Sequence, residues 1–317
     1  MVGALAASAQ VLAQEAAPPS TLPDDFKVLD REIGVSGDFL YGNGYVQLPI
    51  GEALDKTAIG GNVGSGKFTT ADRKSALYYG GTLSGSVGKT WYVDVSYSRG
   101  TTEGSLNDLP ALDPSGANKL ESSYKISDEF YQLYGKYAFP QFSGTRFAAY
   151  LRLGATYSES TANVDYIDPV IGFRGQYGSI ANDYLGNIGL GGEYFAYRGE
   201  TFKITTVLEG EAFGGLRSSS ITESLQADLR YDGSTDVDSF VYGGLGRGVL
   251  RFAKNLGREG RWKLNVDVGF QGRYLINEFE SIANGLGEKD YGDRKPNVHG
   301  TELLWGPYGR VGLSYSF

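Results

Sequence analysis

Cysteine is absent from the 317 residues, and histidine and methionine occur once each. No apolar run approaches the roughly 20 residues that a membrane helix needs. The missing thiols exclude disulfides, thiolate nucleophiles and thiolate metal ligands, and are compatible with an oxidising compartment. A single histidine, His299, excludes imidazole clusters as metal sites and leaves histidine-dependent catalysis one candidate. Basic clusters are also lacking. Lys and Arg number 29 against 37 Asp and Glu, the net charge is -8 and the pI is near 4.9, so a nucleic-acid partner is excluded.

Abundant instead are glycine (47), tyrosine (23) and phenylalanine (16). Glycine permits twisted, closely approaching strands and tight turns, and tyrosine suits a membrane interface because its ring is apolar while its hydroxyl stays wet. A mean hydropathy of -0.27 is no objection to a membrane protein whose alternate residues alone face lipid.

The last seven residues, Val311-Gly312-Leu313-Ser314-Tyr315-Ser316-Phe317, alternate apolar with small or polar side chains and end on an aromatic. With the same parity, 305 and 303 are Trp and Leu, while 316, 314, 310, 308 and 302 are Ser, Ser, Arg, Tyr and Glu. One face suits lipid and the other water. This segment resembles the closing strand of bacterial outer-membrane β-barrel proteins. The resemblance implies an all-β, transmembrane, antiparallel up-and-down barrel, with Val311, Leu313, Tyr315 and Phe317 as the signal read by the barrel-assembly machinery.

Residues 1–14 read as the remnant of a signal peptide, with Val11 and Ala13 placed as the small residues before a cleavage site, although the charged n-region is missing. Residues 15–35 read as a periplasmic linker, in which Phe26, Leu29 and Ile33 would line one face of a short helix, and 36–317 as the barrel. Within the barrel, strands are expected near 36–48, 75–86, 90–100, 125–138, 145–157, 183–196, 201–215, 237–252, 261–276 and 301–317. Short turns alternate with long connections at about 49–74, 101–124, 158–182, 216–235 and 278–300, the asymmetry of outer-membrane barrels with their short side in the periplasm. The count is about ten. A hairpin hidden in 49–74 would make it twelve, and eight is the other alternative.

Parity assigns the inward face. In 261–276, Trp262, Leu264, Val266, Val268, Phe270 and Tyr274 oppose Lys263, Asn265, Asp267, Gln271 and Arg273. Aromatics near strand ends, such as Trp91 with Tyr97 and Trp262 with Tyr274, are placed as interfacial girdles. Collected over all strands, the lumen-lining charges are Lys136, Arg146, Arg152, Lys203, Arg247, Arg251, Lys263, Arg273 and Arg310, with Asp94, Glu193, Glu209, Glu211, Asp267 and Glu302. That set carries a modest basic excess. In a narrow barrel such charges pair with one another, because an unpaired buried charge is costly, and about ten strands leave little free pore.

Several apparent motifs reduce to simpler readings. Gly61 to Phe68 has the Gly and Lys spacing of a phosphate-binding loop but ends in Phe68 where Ser or Thr would hold magnesium, and reads as a surface loop. Asp228, Asp232, Asp236 and Asp238 lack EF-hand spacing and read as carboxylates of a solvated loop. His299 and Thr301 share a face in an arrangement faintly similar to the His-x-Ser of outer-membrane lipid hydrolases, with Thr in place of Ser and no third residue to orient the imidazole. The His-Asp and Asp-Asp pairs that ten-stranded outer-membrane proteases use cannot be placed.

The sequence therefore predicts a barrel with a narrow, charge-filled lumen and long extracellular loops, no cofactor and no catalytic residues. Its expected role is structural, surface-binding or small-solute passage, with an enzyme acting on lipid or surface substrates through His299 as the alternative. Expected partners are outer-membrane lipids and lipopolysaccharide, the assembly machinery and a surface ligand held by the loops.

Overall fold

A computed structural model describes residues 32–48, 69–87, 90–106, 121–139, 146–167, 174–226, 231–257, 261–280 and 297–317. Ten strands form one closed antiparallel barrel: β1 (Glu32–Leu48), β2 (Thr69–Val87), β3 (Trp91–Gly104), β4 (Glu121–Ala138), β5 (Phe147–Ile167), β6 (Arg174–Arg198), β7 (Phe202–Gln226), β8 (Tyr231–Leu256), β9 (Trp262–Glu280) and β10 (Asn297–Ser316). Each strand pairs with its sequence neighbours, and β1 closes on β10 from Glu32↔Ser316 to Val46↔Glu302. Closure satisfies every strand edge, which is what lets a sheet cross lipid.

The outward side chains of the lower barrel are large, apolar and exposed, among them Val35, Leu83, Val95, Leu133, Leu153, Ile188, Leu190, Leu208 and Val268. Aromatics bound this belt. Trp91 packs on Tyr137, and Trp262 on Tyr315, near the short-turn end, while Tyr97, Tyr131, Tyr157 and Tyr184 form a continuous row across β3 to β6 with centroids 4.9, 5.8 and 5.3 Å apart. On β5 the two boundaries are Phe147 and Tyr157, a rise of about 25 Å at ordinary strand spacing and tilt, which matches the apolar band of outer-membrane barrels.

The strands run further than the sequence pattern predicts, mostly at the ends away from the short turns. β5 and β6 continue to leave only 168–173 between them, and β7 and β8 only 227–230, where connections of 158–182 and 216–235 were expected. β1 begins at Glu32, inside the segment expected to be linker. Above Tyr157 the outward residues of β5 become Glu159, Thr161, Asn163 and Asp165, and the inward ones Ala162, Val164 and Tyr166, all three buried. The alternation persists with its polarity reversed. The phosphate-loop-like segment, residues 1–31 and Asp228 lie outside the described residues.

Tyrosine also has a second use that the interface argument does not anticipate. Inward Tyr134 lies across from Gly154 and inward Tyr150 across from Gly191, where an added Cβ would come within 2.3 Å of each ring. Glycine thus makes room for an aromatic ring flat against the neighbouring strand.

A bulge sets the upper register of β2. The β1–β2 pairing jumps from Gly42↔Ala76 to Gly44↔Arg73, with Ser75 at φ 57° and its N–H donated to the Asn43 side-chain oxygen at 3.2 Å. Gly44 itself has φ 149°, and a Cβ there would lie 1.9 Å from the Leu303 carbonyl oxygen. The extra residue flips parity, so Ala76, Tyr78 and Thr82 face inward below it while Arg73 and Ala71 face inward above it.

Candidate functional site

Among the described residues, chemistry-bearing side chains converge in the lumen, which is built in layers. Nearest the short turns, Arg251 binds Asp267 through two nitrogens (Nε–Oδ1 3.0 Å, Nη2–Oδ2 3.1 Å) and Glu193 through Nη1 at 3.2 Å. Lys263 lies 3.5 Å from Glu32, and Lys136 lies 2.9 Å from Asp94. Lys203 lines the same vestibule, a cavity of about 150 Å³.

Above it, buried Glu209 is a shared acceptor. Its carboxylate meets Arg247, Arg152 (3.2 Å), Lys136 (3.6 Å) and the Tyr150 hydroxyl, which donates at 2.6 Å. Glu211, on the same inward face of β7, accepts from Tyr134 (2.9 Å) and Asn187 (3.0 Å) and pairs with Arg152 at 3.2 Å. The Arg152 guanidinium stacks 3.6 Å from the centre of the Tyr134 ring. On the other wall Arg310 donates to Asp38 at 2.5 Å, and Asp38 also accepts from Thr82 and Tyr308.

A mostly apolar layer follows. Leu40, Ala76, Tyr78, Leu304 and Tyr308 pack with Phe130, and Leu185, Phe213, Val241 and Leu275 pack with Leu245. Arg273 sits between the Phe130 and Phe213 rings at 5.0 and 5.2 Å. Over this layer lies a third ionic cluster: Arg217 grips Asp183 (2.6 and 3.0 Å) and Glu302 (2.7 Å), while Arg73 bridges Asp128 (3.1 Å) and Glu302 (3.7 Å). Tyr78 and Ser160 donate to Asp128, and Ser158 to Asp183.

Of the charges assigned inward from parity, Asp94, Lys136, Arg152, Glu193, Lys203, Glu209, Glu211, Arg247, Arg251, Lys263, Asp267, Arg273, Glu302 and Arg310 lie in these layers. Arg146 does not. It precedes β5, is exposed, and belongs to the rim, because the strand begins only at Phe147. Parity reasoning also missed seven inward charges: Glu32, Asp38, Arg73, Asp128, Asp183, Arg198 and Arg217. Adding them reduces the expected basic excess to one. Among the described residues the lumen holds eleven cations, Arg73, Lys136, Arg152, Arg198, Lys203, Arg217, Arg247, Arg251, Lys263, Arg273 and Arg310, and ten carboxylates, Glu32, Asp38, Asp94, Asp128, Asp183, Glu193, Glu209, Glu211, Asp267 and Glu302.

Space inside is divided. The vestibule, a mid-lumen cavity of about 100 Å³ and an upper one of about 40 Å³ are among the inward cavities. At the extracellular end, His299 lies in β10 with its backbone opposite Glu278, and Thr301 donates its hydroxyl to the Gln47 side-chain oxygen at 2.9 Å. Asp236 and Asp238 are exposed on the outer face of β8. Val311, Leu313, Tyr315 and Phe317 all take the outward parity of β10, with Val311, Leu313 and Phe317 exposed.

No protein-family model and no curated protein sequence matches the chain. Solved structures do resemble it. The outer membrane protease OmpT from Escherichia coli aligns with a TM-score of 0.50 at 15% identity, over 95% of this chain and 99% of that one. The translocator domain of the autotransporter NalP from Neisseria meningitidis aligns at 0.40 and 12%, over 99% and 98%. A major outer membrane protein from Thermus thermophilus aligns at 0.35 and 12%, over 90% and 99%. The first of these alignments supports the fold and says nothing about activity. With its closed ten-stranded topology, its outward apolar belt and its aromatic boundaries, the chain has the fold of a transmembrane β-barrel of the kind found in bacterial outer membranes.

Proposed function

We propose that this barrel is a closed scaffold of the outer membrane, without enzymatic activity or cofactor, that acts through its extracellular end. The observation carrying this reading is the pairing inside the lumen: eleven cations face ten carboxylates, most of them engaged in ion pairs, and the space between them includes only small cavities among the described residues. Conduction needs a continuous water path whose charges bind ions weakly enough to release them. A lumen crossed by bidentate Arg–carboxylate pairs offers neither.

Function then moves to what stands above the membrane. β5 to β8 are 21 to 26 residues long and rise past the aromatic row as a wall with polar outer residues. A rigid wall carrying loops suits recognition of a surface ligand, with lipopolysaccharide and outer-membrane lipids around its base. The barrel-assembly machinery would read Val311, Leu313, Tyr315 and Phe317.

Single-channel recording of the refolded protein in planar bilayers tests the proposal. Wild-type protein that is folded and heat-modifiable is expected to stay electrically silent. Steady conductance with an anion preference that weakens in Arg247→Ala or Arg251→Ala would overturn it in favour of small-solute passage.

A further inference from the structure

Arg273 is an inward cation that touches no carboxylate directly among the described residues. Its guanidinium lies between Phe130 and Phe213, makes no ion pair among the described residues, and has a buried Nη2 without a hydrogen-bond acceptor. The nearby carboxylates are committed elsewhere. Glu302 takes Arg217 at 2.7 Å and Arg73 at 3.7 Å, and Asp38 takes Arg310 at 2.5 Å.

Beside Arg273 is the mid-lumen cavity of about 100 Å³. Three guanidinium groups line it, those of Arg247, Arg273 and Arg310, against one carboxylate, Asp38. Arg310 pairs with Asp38 and Arg247 with Glu209, so Arg273 is the guanidinium of this lining without a direct carboxylate contact among the described residues. Gln132 and Gln271 add side-chain amides to the same wall. The volume exceeds the roughly 30 Å³ that a water molecule occupies in the liquid, so an ion of similar size fits together with some of its hydration. Arg310 lines both this cavity and the vestibule, so one side chain separates the two.

We propose that this cavity is a binding site for a small monovalent anion, of halide or nitrate size, held by Arg273 and the two glutamine amides. A buried guanidinium with a free N–H and amide donors beside it define what fits: one negative charge that accepts hydrogen bonds. The ion would supply the acceptor that Arg273 Nη2 lacks among the described residues. The site requires no conduction, so its test is independent of the bilayer recording.

Crystals of the refolded protein grown in sodium bromide would show the ion directly by anomalous scattering. The expected result is a peak within hydrogen-bonding distance of Arg273 Nη2, and its absence from a well-ordered cavity would overturn the proposal. In parallel, thermal unfolding in detergent is followed while bromide or nitrate replaces a large impermeant anion, gluconate, at constant ionic strength. Wild-type protein should show a saturable rise in midpoint that disappears in Arg273→Gln and survives in the remote variant Lys125→Ala. An equal rise in wild type and Arg273→Gln would mean general screening and would also sink the site.

Discussion

The barrel has two halves with opposite polarity. At membrane level the outside is apolar and the inside ionic, as in β5, where Phe147, Leu151, Leu153 and Tyr157 point out and Tyr150, Arg152, Thr156 and Ser158 point in. Above the tyrosine row the same strand shows Glu159, Thr161, Asn163 and Asp165 to water and buries Ala162, Val164 and Tyr166. β4 agrees, with Lys125 and Glu129 outside and Tyr124 and Ile126 inside. The solvent on the outer face decides which kind of interior follows. Lipid outside goes with an inner face built largely of charge pairs around one apolar layer, whereas water outside goes with a buried apolar set above the upper ionic cluster. One continuous sheet therefore folds by two different logics along its axis.

The ionic half should fail most severely when its shared acceptor is lost. Glu209→Ala takes from Arg247 its carboxylate partner, leaves Arg152 only Glu211 and Lys136 only Asp94, and removes the acceptor of the Tyr150 hydroxyl. Breaking a buried ion pair by removing one partner costs about 3–5 kcal/mol. Urea unfolding in lipid vesicles, followed by tryptophan fluorescence and gel mobility, should show a loss of that order. A change below about 1 kcal/mol, the scale of exposed ion pairs, would mean that the lumen is wet enough to screen its charges.

The same contrast explains what was legible in the sequence. Fold class, strand number and most lumen charges followed from alternation, because at membrane level the outward residues are strongly apolar and mark every second position. Extracellular extensions were read as loops for the converse reason: at Glu159 the outward set turns polar, so a search for lipid-facing residues sees the strand end while the period of two continues in reverse. Arg217 and Asp183 were lost or overlooked near that boundary. Arg73 was hidden by the bulge at Ser75, since counting back from Ala76 and Tyr78 by twos assigns Arg73 to the outside. Only the Asn43-Gly44 pair opposite it hints at irregularity. Asp38 and Glu32 carried no comparable obstacle: β1 parity looked ambiguous because Gly42 and Gly44 interrupt its pattern, and Glu32 was placed in the linker. Arg146 failed at a strand boundary, where parity has no meaning once pairing stops.

The apolar half should respond to cavity formation and do so locally. Ile126 is 1% exposed, beside the upper cavity with Tyr177 and Ile221. Ile126→Ala should cost about 2–5 kcal/mol by lost burial and the void it leaves. Limited proteolysis is expected to cut the extracellular part of β4 or β5 faster, while the membrane-level barrel keeps its heat-modifiable mobility. If mobility falls as far as in Glu209→Ala, the two halves unfold as one cooperative unit and the division is only geometric.

A pair of substitutions on one strand locates the boundary between the halves. Ile188 and Ile180 both point outward from β6 and are 58% and 46% exposed, but Ile188 lies between Tyr194 and Tyr184 while Ile180 lies beyond Tyr184. Arginine at the level of the bilayer centre of such a barrel costs about 2–4 kcal/mol, because the guanidinium must be dragged toward the interface or hydrated in place. Arginine on a water-facing strand surface usually changes stability by no more than about 0.5 kcal/mol. Ile188→Arg should therefore lower the unfolding free energy in vesicles by several times more than Ile180→Arg. Equal losses would put Ile180 in lipid, move the membrane boundary up β6, and turn the polar outer face of the extension into a feature that the opposition of lipid and water no longer explains.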